Sequence, residues 1–148
     1  MRNRFLAAVL SGFSLYACLP ADPSPISAAY DHTADSLAFA RVLQSHLDAV
    51  ACRDLAALRP TLMPGNRMEL ILPGTAPTYT VEAFMSFHVT FFQDTTWTFE
   101  PEILTTHIGR DLGIAHTEIV YREPDRDGKP YFNRVAVGYV LEKIDGQW

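Results

Sequence analysis

One run, Thr80–Glu100 (TVEAFMSFHVTFFQDTTWTFE), constrains this chain more than any other. Stepping about 100° per residue from Val81 places Val81, Phe84, Met85, His88, Phe91 and Phe92 on one helix face. Glu82, Ser86, Thr90 and Gln93 fall on the other. His88 stands in the middle of the apolar face, between Phe84 and Phe92, so it points inward. The helix is expected to end near Asp94. At Trp97-Thr98-Phe99 the apolar period changes from 3.6 to 2, which marks a strand. A helix running into long strands around an inward polar side chain predicts a sheet wrapped over a helix-lined cavity.

The elements before and after this run can be placed the same way. From Ser36 to Ala51, Phe39, Leu43, Leu47 and Val50 form a helical stripe flanked by Ala40, Val42 and His46, with Asp35 or Thr33 as N-cap. Asp54 caps a second, short helix through Leu58, which Pro60 stops. Met68–Leu72 predicts a short strand ended by Pro73-Gly74. Three longer strands are expected after the central helix, over Trp97–Ile108, Leu112–Glu123 and Tyr131–Lys143. Gly109-Arg110-Asp111 turns the chain between the first two. A polar loop, Pro124–Pro130, carries the hairpin dipeptide Asp127-Gly128 between the others. Asp145-Gly146 announces one more hairpin and Trp148 opens the strand after it, so the domain is expected to lack its last strand.

The chain of 148 residues is long enough for one domain with a real core. Its N-terminus reads as an export signal, residues 1–17. Met1-Arg2-Asn3-Arg4 is a basic leader, and Phe5–Ala17 is an apolar stretch too short to span a bilayer. Leu15-Tyr16-Ala17-Cys18 is similar to the bacterial lipoprotein box, from which Tyr16 departs by its size. The expectation is a periplasmic or membrane-anchored protein held by lipid at Cys18, with plain secretion as the alternative. Residues 18–34 read as a flexible Pro-, Ala- and Ser-rich tether and 35–148 as the domain. Without the leader, ten basic residues face seventeen acidic ones, and no basic cluster remains. That excludes nucleic acid as a partner, and any membrane attachment through charge rather than through the lipid. Cys52 lies on the polar side of its helix with no intrachain partner and reads as an incidental thiol.

Helix, short helix, strand, loop, helix, then long antiparallel strands is an α+β order with a curved sheet over helices. Particular residues add to it. Leu47-Asp48-Ala49 through Arg53-Asp54-Leu55-Ala56-Ala57-Leu58 ends the first helix in an Asp-then-short-helix step. Strand Met68–Leu72 ends in Pro73-Gly74, helix Thr80–Gln93 is followed by Trp97, and Gly109-Arg110-Asp111 leads to Ala115. With Asp145-Gly146-Gln147-Trp148 at the end, the chain from about Ser36 to Trp148 resembles the nuclear transport factor 2-like superfamily, in particular its SnoaL-like and DUF4440-like domains. The resemblance implies a cone-shaped barrel, a curved, mainly antiparallel sheet wrapped around N-terminal helices. It also implies an apolar pocket and often a homodimer through the outer sheet face. The superfamily hosts ketosteroid isomerase, scytalone dehydratase and polyketide cyclases beside non-catalytic binding and assembly domains, so the fold leaves function open.

His88 is the candidate catalytic residue, a general acid or base whose pKa burial would lower. The competing reading is a core histidine bonded to a neighbour. Phe84, Phe92, Trp97, His107 and Tyr121 are the candidate pocket residues, His107 because it shares strand parity with Trp97, Phe99 and Ile103. Arg134 and Tyr139 are further ligand candidates. His116 and Glu118 alternate with Ala115, Thr117, Ile119 and Tyr121, and which set faces the cavity stays open. No Asp stands where a ketosteroid-isomerase base is needed, since Asp94 ends its helix and Asp48 faces water. A scytalone-dehydratase-like set would have to come from His88, His107 and Tyr121. Five single His and no Cys pair predict neither metal nor cofactor. The resulting expectation is an exported, lipid-anchored domain binding a hydrophobic small molecule in an apolar pocket. Its alternatives are a cofactor-independent isomerase, cyclase or dehydratase using His88, and a dimeric assembly domain without catalysis.

Overall fold

The computed structural model describes residues 32–65 and 68–148. The expected signal peptide, Cys18 and the tether up to residue 31 lie outside the described residues.

The first helix, α1 (His32–Ala51), starts four residues before Ser36, so the last three residues of the expected tether are helical. It buries Phe39, Leu43, Leu47, Ala49 and Val50, the stripe that three- and four-residue spacing dictates. Arg53 ends it in a left-handed conformation (φ 58°). The Arg53 N–H donates to Val50 O at 3.1 Å and the Asp54 N–H to Ala49 O at 2.8 Å, the paired closure of a Schellman cap. Asp54 then caps α2 (Leu55–Leu58), its carboxylate accepting from the Ala57 N–H at 2.9 Å. A 3-10 turn, Arg59–Thr61, follows. The central helix, α3 (Val81–Phe91), begins at Thr80, whose hydroxyl accepts from the Ala83 N–H at 3.1 Å, and it buries Val81, Phe84 and His88.

Three antiparallel strands, β1 (Thr98–Ile108), β2 (Leu112–Arg126) and β3 (Lys129–Glu142), form one sheet in the order β1-β2-β3. Two elements differ from expectation. Met68–Leu72 is a single bridge, Leu70 to Thr78, rather than a strand. Pro73 and Pro77 offer no N–H, so the ladder cannot extend past it. Conversely, the expected loop Pro124–Pro130 contracts to a two-residue turn. Asp127 (φ 56°) and Gly128 (φ 81°) both take the positive φ that a hairpin matching strand twist requires. The strands therefore run on to that turn, and a register shift between Glu123 and Arg126 accommodates Pro124.

On β2, Gly113, Ala115, Thr117 and Ile119 are buried against the helices while Leu112, Ile114 and His116 are exposed. The odd-numbered face is therefore the concave one. On β1 the parity switches midway, because the register slips between Ile103 and Thr105. Phe99, Pro101 and Ile103 are half-buried on the helix side, but beyond the bulge Ile108 takes that side. The core divides into two clusters. Phe39, Leu43, Leu47 and Ala115 form one. Ala49, Val50, Leu58, Phe84, Phe92 and Trp97 form the other.

Gly113 is where α1 meets the sheet at its closest. A Cβ there would lie 2.3 Å from the Phe39 ring, and Phe39 is fully buried. Gly113→Ala should therefore cost about 1–3 kcal/mol by overpacking. Gly138→Ala, at a strand position with nothing within 4 Å, should be neutral or slightly stabilising. Urea unfolding of both variants checks this; equal effects would mean that Phe39 yields freely.

Candidate functional site

The site is framed by the end of α3 and the start of β1. Trp97 is buried, its indole N–H donates to Phe91 O at 3.2 Å, and its ring stacks on Phe91 at 4.5 Å, 7° from parallel. The Arg53 guanidinium lies 3.8 Å from the Trp97 ring centre. It also donates to the backbone oxygens of Trp97 and Asp94. Among the residues expected to line a pocket, Phe84, Phe92 and Trp97 are buried in one cluster and Tyr121 packs against it half-buried.

His88 lies inside that frame, 6% exposed, with its ring 4.1 Å from Phe84 and 5.3 Å from Phe92. Its Nδ1 donates to Phe84 O at 2.9 Å. Burial holds its pKa below the ordinary 6.5, against a smaller opposing pull from that carbonyl. A second histidine, which the sequence had shown only at the edge of the α1 stripe, joins it. His46 packs edge-on to Tyr139 at 5.7 Å and lies 6.1 Å from Phe84, so Phe84 stands between the two imidazoles. Its Nδ1 is 2.9 Å from Thr61 Oγ1. Burial, and after it the proximity of His88, push the His46 pKa down to about 4. Burial pushes the Tyr139 phenol up to about 12. Both signals were legible: His46 follows Leu43 by three residues and precedes Val50 by four, and Tyr139 shares parity with Val135, Val137 and Leu141.

The remaining candidates lie elsewhere. His107 is exposed: the β1 bulge hands the concave side to Ile108 and turns His107 outward, so it is not with His88. Tyr121 belongs to a hairpin-end network, its phenol donating to Glu123 Oε1 at 2.6 Å. Arg126 donates to the same carboxylate and lies 3.5 Å over the Tyr131 ring. Burial, and then Glu123, raise the Tyr121 pKa. Arg134 is exposed on the outer face, 3.2 Å from Glu118. Among the described residues no three His, Cys, Asp or Glu gather as a metal site. Two open clefts indent the surface. One, of about 450 Å³, lies beside Thr98, Arg122, Glu123 and Tyr131. The other, of about 410 Å³, lies beside Arg41, Ser45, Pro60 and Thr61. His88 borders neither.

No family model matches the sequence, and no curated protein matches it. Solved structures do resemble the chain. A protein of the nuclear transport factor 2-like family from Streptomyces avermitilis superposes with TM-score 0.61 at 12% identity, covering 78% of this chain and 90% of that one. The fold is nuclear transport factor 2-like. A ketosteroid isomerase-like protein from Erwinia carotovora atroseptica gives TM-score 0.63 at 13% identity, covering 80% of this chain and 89% of that one. The association domain of CaMKII from C. elegans gives 0.56 at 22% identity, covering 78% and 89%. At such identities the likeness carries the architecture and nothing finer.

The two imidazoles make the domain sensitive to acid. An unfolded His46 takes up its proton near pH 6.5 and the folded one near 4, so between these values the unfolded state binds more protons. Stability is fully present above pH 6.5 and is lost as the pH falls through that window, by on the order of 3 kcal/mol from His46. His88 adds to the loss in the same direction. His46→Gln should flatten the dependence of unfolding free energy on pH between about 6.5 and 4. An unchanged slope in that variant would remove His46 from the account.

Proposed function

We propose that the cone interior binds a small, largely apolar molecule at the seam where His46, His88 and Tyr139 meet. One observation carries this reading. Neither Nε2 of the two imidazoles nor the Tyr139 hydroxyl has a hydrogen-bond partner among the described residues, although all three side chains face the interior. None of the three atoms is sealed from solvent without a partner, so each stands open to a ligand that enters the seam. The inner wall of β3 offers the apolar surface. Val135, Val137, Tyr139 and Leu141 are half-buried rather than buried, so helices do not cover them fully.

Acid–base catalysis as an isomerase, cyclase or dehydratase is the less favoured reading. His88 is enclosed and bonded to backbone, and no carboxylate acts on either imidazole. The test of binding is a titration with a neutral apolar dye such as Nile red. Saturable binding is expected, weakened at least about tenfold by Val137→Trp, which fills the inner wall, and kept by Val140→Trp on the outer face. Equal affinity in both variants would put the dye elsewhere and end this reading.

A specific observation favours self-association as well. Leu104, Leu112, Ile114 and Val140 are exposed on the outer face, where Ile114 and Val140 pair across β2 and β3. An apolar patch on a sheet face marks a contact surface, and one of the similar structures is an association domain. We infer a homodimer through this face, which Ile114→Lys should convert to monomer in sedimentation. A native chain that is already monomeric at about 100 μM would refute it.

We further propose that the protein is exported and held at a membrane by lipid on Cys18, on the strength of the basic and apolar leader segments. Cys18→Ala should release it from the membrane fraction. Unchanged fractionation would count against the anchor.

A further inference from the structure

The tautomers of the two imidazoles follow from their partners. A backbone carbonyl only accepts, so in the 2.9 Å contact with Phe84 O the hydrogen sits on His88 Nδ1. Thr61 donates its hydroxyl hydrogen to Leu58 O at 2.7 Å. Its oxygen is left to accept at 2.9 Å, so His46 also carries its hydrogen on Nδ1. A neutral imidazole has a single N–H, and each ring therefore presents a bare lone pair at Nε2. The two rings flank Phe84, and Tyr139 stands edge-on to one of them. Two acceptors and one phenol are thus held at one apolar seam.

Resting on the interior site proposed above, we propose that its ligand is an uncharged molecule bearing a hydrogen-bond donor: a phenol, alcohol or diol on an apolar body. An acceptor lone pair attracts a donor hydrogen and repels an anion. A carboxylate would require an imidazolium or another cation. Burial keeps both imidazoles neutral, and no arginine or lysine acts on either ring. A ligand hydroxyl suits the set because it donates to an Nε2 and accepts from the Tyr139 phenol at the same time. A bare ketone or ether offers only acceptors and leaves both nitrogens unpaired, the arrangement that discriminates hardest against a misfit. Thr61 becomes a positioning residue: without its hydroxyl nothing fixes which His46 nitrogen faces the ligand.

Naphthol, its methyl ether and naphthoate share one apolar body and differ only in donor and charge. Isothermal titration of the full chain near neutral pH should rank naphthol at least about tenfold tighter than the ether, with naphthoate weakest. Thr61→Val should shrink the naphthol-to-ether ratio, and Thr61→Ser should keep it. NMR of the imidazole nitrogens in the unliganded protein should show both rings protonated at Nδ1. Equal binding of naphthol and ether, or tightest binding of naphthoate, overturns the ligand class while the pocket stands. Binding of none of the three, with Nile red also failing, overturns the pocket and this inference together. An Nε2-protonated ring in the NMR spectrum overturns the inference whatever the ligands do.

Discussion

The guanidinium of Arg53 over the indole of Trp97 is the contact on which the rest of the structure depends. Arg53 occupies a left-handed position that costs a non-glycine residue on the order of 1 kcal/mol. A glycine would remove that cost, but it would lose the stacking on Trp97 and the bonds to the Asp94 and Trp97 carbonyls. Those contacts join the end of α1 to the segment where α3 gives way to β1. Trp97 in turn closes the C-terminal end of α3 through its bond to Phe91 O and its stacking on the Phe91 ring. This joint ties the helix that carries His46 to the end of the helix that carries His88.

From there the packing leaves a polar seam between two apolar clusters. The Phe39 cluster is anchored where Gly113 lets the ring touch the backbone of β2. The Trp97 cluster is anchored by the clamp. Phe84 belongs to the second and separates the imidazoles, while Tyr139 packs against the first. The seam is only partly solvated, and burial dominates the pKa of all three polar groups. Nor is it a charged site. It offers neutral hydrogen-bonding groups in an apolar setting, which suits recognition of an uncharged molecule better than general acid–base chemistry.

Bulges and turns decide what each strand presents. The single slip in β1 removes His107 from the interior and puts Ile108 there. The Asp127-Gly128 turn extends the hairpin far enough for Tyr121, Glu123, Arg126 and Tyr131 to form a separate network at its end. Tyr121 consequently has its hydroxyl engaged away from the histidines. The outer face keeps Leu112, Ile114 and Val140 in water, the apolar surface that an α+β sheet covers on one side only.

By itself the sequence determined the α+β order, the three antiparallel strands, the cap at Asp54, and the inward placement of His88. These follow from local periodicity and from residues that bond their own neighbours within three or four positions. The bridge at Leu70 and the extended hairpin were misread because proline and the register shift act on pairing, which local pattern does not record. Only tertiary structure decided the site's membership. His46, Thr61 and Tyr139 are 15 to 93 residues apart from one another, and a helix edge, a turn and a strand meet only in the folded chain. The displacement of His107 has the same origin, since a one-residue bulge inverts a face without leaving a mark in the alternation that precedes it.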